Sequence, residues 1–306
     1  MASKSTVLNT INVVEAIKRI DANDITVLYL LFANIGDNEA ILISNSLIKN
    51  TLLTHINLSN NLISDNGATS ISNSLIKNTS LTHLKLWRNL ISDNGATAIS
   101  SALIKNTSIT HLDLQGNKIS DNGATSISNS LIKNTSLAHL DLGFNSISDN
   151  GATSISNSLM KNTSLTCLNL WRNKISSNGA TSILNSLIKN TSLTHLNLGN
   201  NSISDDGARS ISNALIRNTS LKDLNLRYNL ICNNGAALIS SSLIKNTSLT
   251  HLNIGFMLNN EICELIRRQL IINENNNTRV EKRNNLLSWF PMKLLYNDKN
   301  VDIKIY

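Results

Sequence analysis

All six histidines of this 306-residue chain fall in one series, spaced by 28 residues or twice that number. Cys167 and Asp223 occupy the two places where the series is interrupted. Imidazole is a common metal ligand and changes its charge near neutral pH. However, a flat row of imidazoles does not close around a tetrahedral ion, and duplication of one unit also copies one histidine. We therefore expect no metal and no cofactor, with a metal site on this row as the alternative. The series is His55, His83, His111, His139, His195 and His251.

Catalytic machinery is not evident in the rest of the chain. Serine is abundant, but it recurs at the same spacing as histidine, with no distinct base or orienting acid beside it. Seven of the twelve glycines recur at one fixed place in the repeat and the others stand singly, so they form neither a phosphate-binding loop nor a nucleophile elbow. We predict that the protein is not an enzyme.

The histidine spacing belongs to a 28-residue unit that repeats nine times without a gap. A fixed period in this range predicts a solenoid, in which each repeat forms one rung of a continuous stack. Positions below are counted from the first residue of each unit. The units begin at Ile25, Leu53, Leu81, Ile109, Leu137, Leu165, Leu193, Leu221 and Leu249.

The first half of each unit reads as a short strand. Apolar residues occupy positions 1, 4, 6 and 11, as in Leu137, Leu140, Leu142 and Ile147. The alternation around positions 3 to 7 has period two, which predicts a half-buried strand. Position 9 is asparagine in units two to eight, and we expect it to turn inward and bond backbone groups in a ladder.

The second half of each unit has helical periodicity. Ala68, Ile71 and Leu75 lie three and four residues apart, which is the spacing of one helix face. Asp65 is expected to cap the start of this helix, and Asn78 to end it in a left-handed conformation. The helix is rich in serine, threonine and asparagine, so it should depend on packing against the strand layer.

The segment LTHLNLGNNSISDDGARSISNALIRN resembles the leucine-rich repeat of the ribonuclease-inhibitor type, LxxLxLxxNxLxxxGxxxLxxxLxxN. The resemblance extends from residue 25 to about residue 273. It implies an α/β solenoid shaped as a horseshoe, with a parallel concave sheet of about nine short strands and with helices on the convex side. It implies no single function.

The two ends of the chain depart from the unit and should cover the open ends of the solenoid. Apolar spacing predicts a helix over roughly 9–20, another over about 259–272, a loop at 273–277 and a further helix or turn over 278–290. The chain therefore divides into a capping helix at 1–24, nine repeat units at 25–256 with the last one incomplete, and capping helices with a tail at 257–306.

A basic column gives the chain much of its net charge of +7. Such a column could bind the phosphates of a nucleic acid. Each of these residues lies at the end of a predicted helix, where the helix dipole favours a positive charge. We favour this structural interpretation and expect no nucleic-acid partner. The column at position 25 is Lys49, Lys77, Lys105, Lys133, Lys161, Lys189, Arg217 and Lys245.

The remaining composition indicates the compartment. No apolar run approaches the ~18 residues of a membrane span, and the first residues lack the apolar stretch of a signal peptide. The three cysteines fall at different places in the period and form no disulfide framework. We expect a cytoplasmic monomer that does not contact the membrane.

Aromatic and charged residues gather at positions 5, 7 and 8. Neighbouring units differ freely at these positions and scarcely differ elsewhere. Positions 5 and 7 face out of the predicted strand layer, and position 8 lies at its edge. Exposed tryptophan, tyrosine and arginine are typical anchors of protein interfaces. Drift on a solvent-exposed face is the alternative, but it would favour small polar residues. With His83, the predicted partner-binding residues are Tyr29, Phe32, Lys85, Trp87, Arg88, Asp113, Asp141, Phe144, Trp171, Arg172, Arg227, Tyr228 and Phe256.

These observations predict a scaffold that binds a protein partner on its concave face. A second hypothesis is regulation of a small GTPase, because the chain is similar in repeat length to the activators of Ran. Those activators carry an acidic tail, whereas this chain ends in a mixed, slightly basic segment. A third hypothesis is a sensor region detached from a receptor, although no nucleotide-binding or adaptor domain accompanies the repeats.

Overall fold

The computed structural model describes residues 6–10, 12–255 and 259–289 and shows an open solenoid. Strands and helices alternate along the described chain, and the strands form one sheet in sequence order. Every strand pairs in parallel with the strands of the adjacent rungs. The predicted fold class is therefore confirmed.

The strands occupy the start of each unit, and the helices occupy its second half. The strands are β1 Val7–Asn9, β2 Val27–Tyr29, β3 His55–Asn57, β4 His83–Lys85, β5 His111–Asp113, β6 His139–Asp141, β7 Cys167–Asn169, β8 His195–Asn197, β9 Asp223–Asn225 and β10 His251–Asn253. The helices are α1 Val13–Asp21, α2 Asp37–Leu47, α3 Asp65–Leu75, α4 Asp93–Leu103, α5 Asp121–Leu131, α6 Asp149–Leu159, α7 Ser177–Leu187, α8 Asp205–Leu215, α9 Asn233–Leu243 and α10 Asn260–Trp289. Among these residues, no helix is both long and apolar enough to cross a bilayer.

The hydrophobic core lies between the sheet and the helices and runs the length of the stack. Leu137, Leu142 and Ile147 are fully buried, and Leu140 is 2% exposed, as the strand pattern predicts. The helix face of Ala68, Ile71 and Leu75 closes the other side of the same layer. Each rung buries its apolar residues against the next rung, which is why the uniform unit forms one continuous core.

Position 9 forms the predicted asparagine ladder. Asn89 donates through Nδ2 to the carbonyls of Leu58 and Leu86 at 3.0 Å, and its Oδ1 accepts from the amide of Ile63 at 3.0 Å. One side chain thus satisfies backbone groups on two rungs where the chain leaves the strand.

A second asparagine ladder replaces the left-handed helix ends that the sequence suggested. Asn78 is 2% exposed and donates to the carbonyls of Leu47 and Asn50, while its Oδ1 accepts from the amides of Ser80 and Leu81. The prediction of a left-handed cap at Asn78 is wrong. A buried amide that joins two rungs satisfies more backbone groups than a local cap would.

The aspartate column caps helices, but not in the predicted way. The cap of α3 is Ser64, and Asp65 is the first residue of that helix. The Asp65 carboxylate accepts from the amides of Ser92 at 2.7 Å and Gly95 at 2.9 Å, so it caps the helix of the next rung. A Cβ on Gly95 would lie 2.7 Å from this carboxylate, which explains the glycine at position 15.

Both ends differ from the sequence-based expectation. The first helix, α1, spans Val13–Asp21 and not the predicted 9–20. Strand β1 precedes it, so the sheet has ten strands where about nine were predicted. The predicted loop at 273–277 is wrong, because α10 passes through it. Asn273 is fully buried there and donates to the carbonyls of Asn246 and Leu249, which continues the second ladder and holds the helix in place.

The concave face as candidate functional site

The histidines of strands β3 to β6 form a contiguous stack on the concave face. Their strands pair in register, so the rings lie side by side. The centroids of successive rings are 3.9, 3.9 and 4.0 Å apart, and the ring planes differ by 18°, 13° and 9°. We name His55, His83, His111 and His139 the histidine stack.

Burial lowers the pKa of every ring in the histidine stack, and for each the charge of neighbouring residues is the second cause. The effect is strongest at His83, whose pKa is lowered to about 4 by burial and then by His111 and His55. All four pKa shifts favour the neutral form of the imidazole.

Position 5 places two carboxylates beside the histidine stack. Asp113 and Asp141 pair in register on β5 and β6, and Lys85 pairs with Asp113 from β4. Burial is the first cause that raises the pKa of both carboxyls, that of Asp113 to about 6. Among the described residues, salt bridges join only Arg19 to Asp24 and Arg268 to Glu264, so neither carboxylate forms one there. The charge of Lys85 acts on Asp113 and opposes the rise of its pKa.

A groove of about 290 Å³ opens between these two columns at the centre of the sheet. We name it the central groove. Its lining comes from positions 3 to 5 of four adjacent rungs. Only His83, Lys85, Asp113 and Asp141 of this lining were among the predicted partner-binding residues. Asn169 donates to Oδ2 of Asp141 at 2.8 Å, which joins β7 to β6 in the lining of the groove.

The edge of the sheet, at positions 7 and 8, carries the aromatic and arginine side chains. Arg88, Phe144 and Arg172 occupy position 8 with φ between 51° and 54°. Glycine and asparagine adopt this left-handed backbone most readily, as Gly116 and Asn60 do in other rungs. Large side chains at this place cost about 1–2 kcal/mol each, and such outliers cluster at functional positions.

Guanidinium groups lie against the aromatic rings at this edge. The Cζ of Arg88 is 5.0 Å from the ring centroid of Trp87, and that of Arg172 is 4.2 Å from Phe144 and 5.9 Å from Trp171. These distances are in the range of cation–π attraction. We name Trp87, Arg88, Phe144, Trp171 and Arg172 the aromatic rim.

The other predicted contacts lie nearer the two ends of the sheet. Tyr29 and Phe32 are exposed on the first rung, Phe32 by 71%. Near the other end, the Cζ of Arg227 lies 4.4 Å from the ring centroid of Tyr228, which is 59% exposed. Phe256 lies outside the described residues. The structure therefore brings the rim together in the middle of the solenoid and leaves these residues apart from it.

The lysine column lies on the opposite side, directly after the helices. Helix α4 ends at Leu103 and α5 at Leu131, two residues before Lys105 and Lys133. Both lysines are exposed, and the ion pairs of the described chain include neither of them. This placement agrees with the helix-dipole interpretation of the column.

Metal binding is not suggested by the geometry of the described residues, which contain no group of three or more potential ligands around one point. Sequence reasoning missed a different feature of the histidine stack, namely the threonine that precedes His55, His83 and His111 and contacts the ring. The repeated Thr-His dipeptide was the available signal.

Comparison with known proteins agrees with this architecture. A leucine-rich repeat profile matches seven segments that together cover more than half of the chain: 49–72, 77–100, 105–128, 133–156, 161–184, 189–212 and 217–240. No curated protein has a significantly similar sequence.

Two solved structures show similar folds at low sequence identity. The actin-binding site 2 of leiomodin-1 is 18% identical, with a TM-score of 0.50 over 55% of this chain and 96% of that chain. The tropomodulin C-terminal domain of Caenorhabditis elegans is 15% identical, with a TM-score of 0.46 over 53% and 98%. At such identities only the fold is compared. On the strength of the seven profile matches, the chain belongs to the leucine-rich repeat family.

Proposed function

We propose that this protein is a non-catalytic scaffold that binds a protein partner on its concave face, with the aromatic rim as the anchor. The observation that carries the proposal is the left-handed backbone at Arg88, Phe144 and Arg172. Bulky residues recur at a place where glycine or asparagine would be more stable. Their stacked rings and guanidinium groups are the chemistry of interface hot spots.

The spacing of the rim suits one partner. Trp87 and Trp171 follow strands β4 and β7, which are three strands apart in the sheet. Parallel strands are ~4.8 Å apart, so the two indoles begin roughly 14 Å from each other. An interface of ordinary size, ~800 Å² on each partner, covers that distance. The rest of the concave face then supplies complementary contacts.

Preorganisation supports the same conclusion. The Arg172 guanidinium lies against Phe144 and within reach of Trp171, and these contacts favour one rotamer before a partner arrives. Immobilising a long side chain at an interface costs about 0.5–1.5 kcal/mol. A rim that is ordered in advance avoids part of that cost, and the parallel sheet below it holds the rungs at fixed separations.

We further propose an intracellular setting, a monomeric state, and no nucleic-acid or membrane partner. The free thiols Cys167, Cys232 and Cys263 suit a reducing compartment. The position of the basic column after the helix ends is explained by the helix dipole, so the column does not require a nucleic-acid partner.

Three more specific functions are considered, and the first two are arms of the test. Actin is one, because a protein of similar fold is titled an actin-binding site, although 18% identity supports no residue-level transfer. Regulation of the small GTPase Ran is the second. The third is a sensor region of a larger receptor, for which the array would bind a ligand of that receptor.

The experiment is affinity capture with quantitative mass spectrometry, using the whole chain as bait and purified actin and Ran as separate arms. Trp87→Ala combined with Trp171→Ala should reduce capture of the partner at least a hundredfold, since a central anchor is worth ~2 kcal/mol or more. The melting temperature should change little, because both indoles lie outside the core.

The matched control is Lys105→Gln combined with Lys133→Gln on the convex side. It removes two exposed side chains from neighbouring rungs and should leave capture intact. If this change abolishes capture while the double tryptophan variant retains it, the concave-face proposal is wrong, and the basic column becomes the binding surface.

A further inference from the structure

The threonine hydroxyl groups beside the histidine stack have only one proton each, and each hydroxyl lies close to a carbonyl oxygen and to a ring nitrogen. Thr54 donates to the carbonyl of Thr26 at 3.0 Å, and Thr82 donates to that of Thr54 at 3.0 Å. Thr110 repeats the bond to the carbonyl of Thr82 at 3.2 Å. A carbonyl oxygen can only accept, so this contact is a hydrogen bond only when the threonine hydroxyl donates its proton to the neighbouring rung.

The same hydroxyl oxygens lie close to the ring nitrogens of the following histidines. Oγ1 is 2.7 Å from Nδ1 of His55 and 2.8 Å from Nδ1 of His83 and of His111. Both contacts are hydrogen bonds when the hydroxyl donates to the carbonyl and accepts from Nδ1–H. In the other tautomer the hydroxyl donates to Nδ1, which leaves Oγ1 of Thr54 and of Thr82 3.0 Å from a carbonyl oxygen with no hydrogen between them. A neutral imidazole has one N–H, so with the proton on Nδ1 the Nε2 of each of these rings is a bare acceptor.

The stack therefore presents a line of acceptors on the concave face. The rings are nearly parallel, so the Nε2 lone pairs point in similar directions and do not converge on one ion. Beside them, the carboxylates of Asp113 and Asp141 add further acceptors to the central groove. The Oδ1 atoms of both accept from backbone amides, and Oδ2 of Asp141 also accepts from Asn169.

Donors and cations around the groove are few. Lys85 is exposed and, within the described chain, forms no ion pair with either carboxylate. Arg88 and Arg172 lie against the aromatic rings of the rim. Lys85 lines the groove and its charge acts on Asp113, but it forms no salt bridge there. A tautomer that leaves Nε2 unprotonated and two carboxylates that form no salt bridge therefore favour the same occupant.

We propose that the partner inserts a basic side chain, a lysine ammonium or an arginine guanidinium, into the central groove. Its N–H groups donate to Nε2 of His83 and His111 and to the carboxylates of Asp113 and Asp141. This inference rests on the proposed concave-face function and names the chemistry of its partner. Charge-assisted bonds of this kind are about twice as strong as neutral ones, and the groove already shields both carboxylates from water.

The tautomer is tested by long-range ¹H–¹⁵N correlation spectra at pH 7.5. We expect Nδ1–H signals for His83 and His111. Thr82→Val combined with Thr110→Val should release both rings to a mixture of tautomers. His139 follows Ala138 and has no such hydroxyl, so Ala138→Thr should shift it towards Nδ1–H. An Nε2–H tautomer at His83 and His111 in the unaltered protein would overturn the inference.

Binding is tested by calorimetric titration with a hexalysine peptide as the probe. Asp113→Asn combined with Asp141→Asn should weaken binding at least tenfold. The charge-matched control is Asp24→Asn combined with Asp206→Asn, which removes two exposed carboxylates outside the groove and should change binding less than twofold. Equal loss in the two variants would mean that the probe senses net charge alone, and the inference would fail.

A crossed experiment separates this inference from the proposed function. The variant with both tryptophans changed to alanine should still bind hexalysine, because it retains the groove. If the tryptophan changes abolish partner capture while the groove changes leave it unaltered, the proposed insertion of a basic side chain is wrong. The proposal that a partner binds the concave face is then retained. If neither variant affects capture, the concave scaffold itself is wrong.

Discussion

The interior of the solenoid and its concave surface follow opposite rules. In the interior, each unit repeats the same leucine, isoleucine or asparagine at the same position, and in the buried ladders each asparagine bonds the rung before it. On the concave surface, positions 7 and 8 change from Ser59 and Asn60 to Trp87 and Arg88 in a single step. Contacts along the stack require identical neighbours, and side chains that point away from it are free to differ.

The histidine stack is the informative exception on the concave surface. It lines the concave surface and is only partly buried, yet histidine occupies the same position in four successive rungs. Each ring contacts the ring of the next rung. The aromatic rim has no such continuity, since Gly116 follows Arg88 at position 8 of the next rung. Contact with the next rung therefore explains why a position keeps one residue type better than burial does. Each prediction below tests this comparison between the interior and the concave surface.

The largest effect should come from the interior. Leu142 is fully buried between the sheet and the helices, so Leu142→Ala should lower the free energy of unfolding by about 2–5 kcal/mol. Asn157 is exposed on the helix of the same rung, and Asn157→Ala should change it by less than ~0.5 kcal/mol. Chemical denaturation measures both. Similar losses in the two variants would contradict the assignment of inward and outward faces.

A smaller effect is expected where one rung caps the next. The Asp121 carboxylate accepts from the amides of Ser148 at 2.7 Å and Gly151 at 3.0 Å, so Asp121→Ala should cost about 0.5–2 kcal/mol. Its neighbour Asn122 is exposed in the same turn of α5, and Asn122→Ala is the control. Hydrogen exchange should show the loss at the start of α6. Greater exchange at the start of α5 would mean that Asp121 caps its own helix.

The smallest effect should be the pH dependence of stability, because the histidine stack and the position-5 carboxylates change stability in opposite directions. His83 has a folded pKa of about 4, below the unfolded value of ~6.5, so the folded state binds fewer protons and this residue loses stability as pH falls from 6.5 towards 4. Asp113 has a folded pKa of about 6, raised from 3.8, so the folded state binds more protons in that window. Its contribution rises as pH falls from 6 towards 4.

Substitutions separate the contribution of the position-5 carboxylates from that of the histidine stack. Asp113→Asn should steepen the loss of stability on acidification, because it removes the opposing carboxyl. His83→Asn combined with His111→Asn should flatten the loss or reverse it. Denaturation at a series of pH values between 7 and 4 gives the slopes. Identical slopes in the wild type and both variants would show that neither column titrates differently in the folded state.

Most of the scaffold could be read from residues such as Leu142 and Ile147, because one unit repeated in register leaves only one way to stack. The failures involve groups whose partner lies one rung away. Asp65 and Asn78 look like local caps, but their hydrogen bonds go to backbone groups of the adjacent rungs. The polar run at 273–277 looks like a loop, yet Asn273 is buried in the second ladder within α10.

The sequence by itself determined the period, the strand and helix halves, the apolar core and the places where the units differ, since these depend on spacing along the chain. The tertiary structure alone decided which rung each polar group serves, the left-handed backbone at Arg88, Phe144 and Arg172, and the parallel stacking of the imidazoles. The physical reason is that a hydrogen bond between rungs joins residues about 28 positions apart. Local propensity carries no information at that distance, and only the stacked chain brings the two groups together.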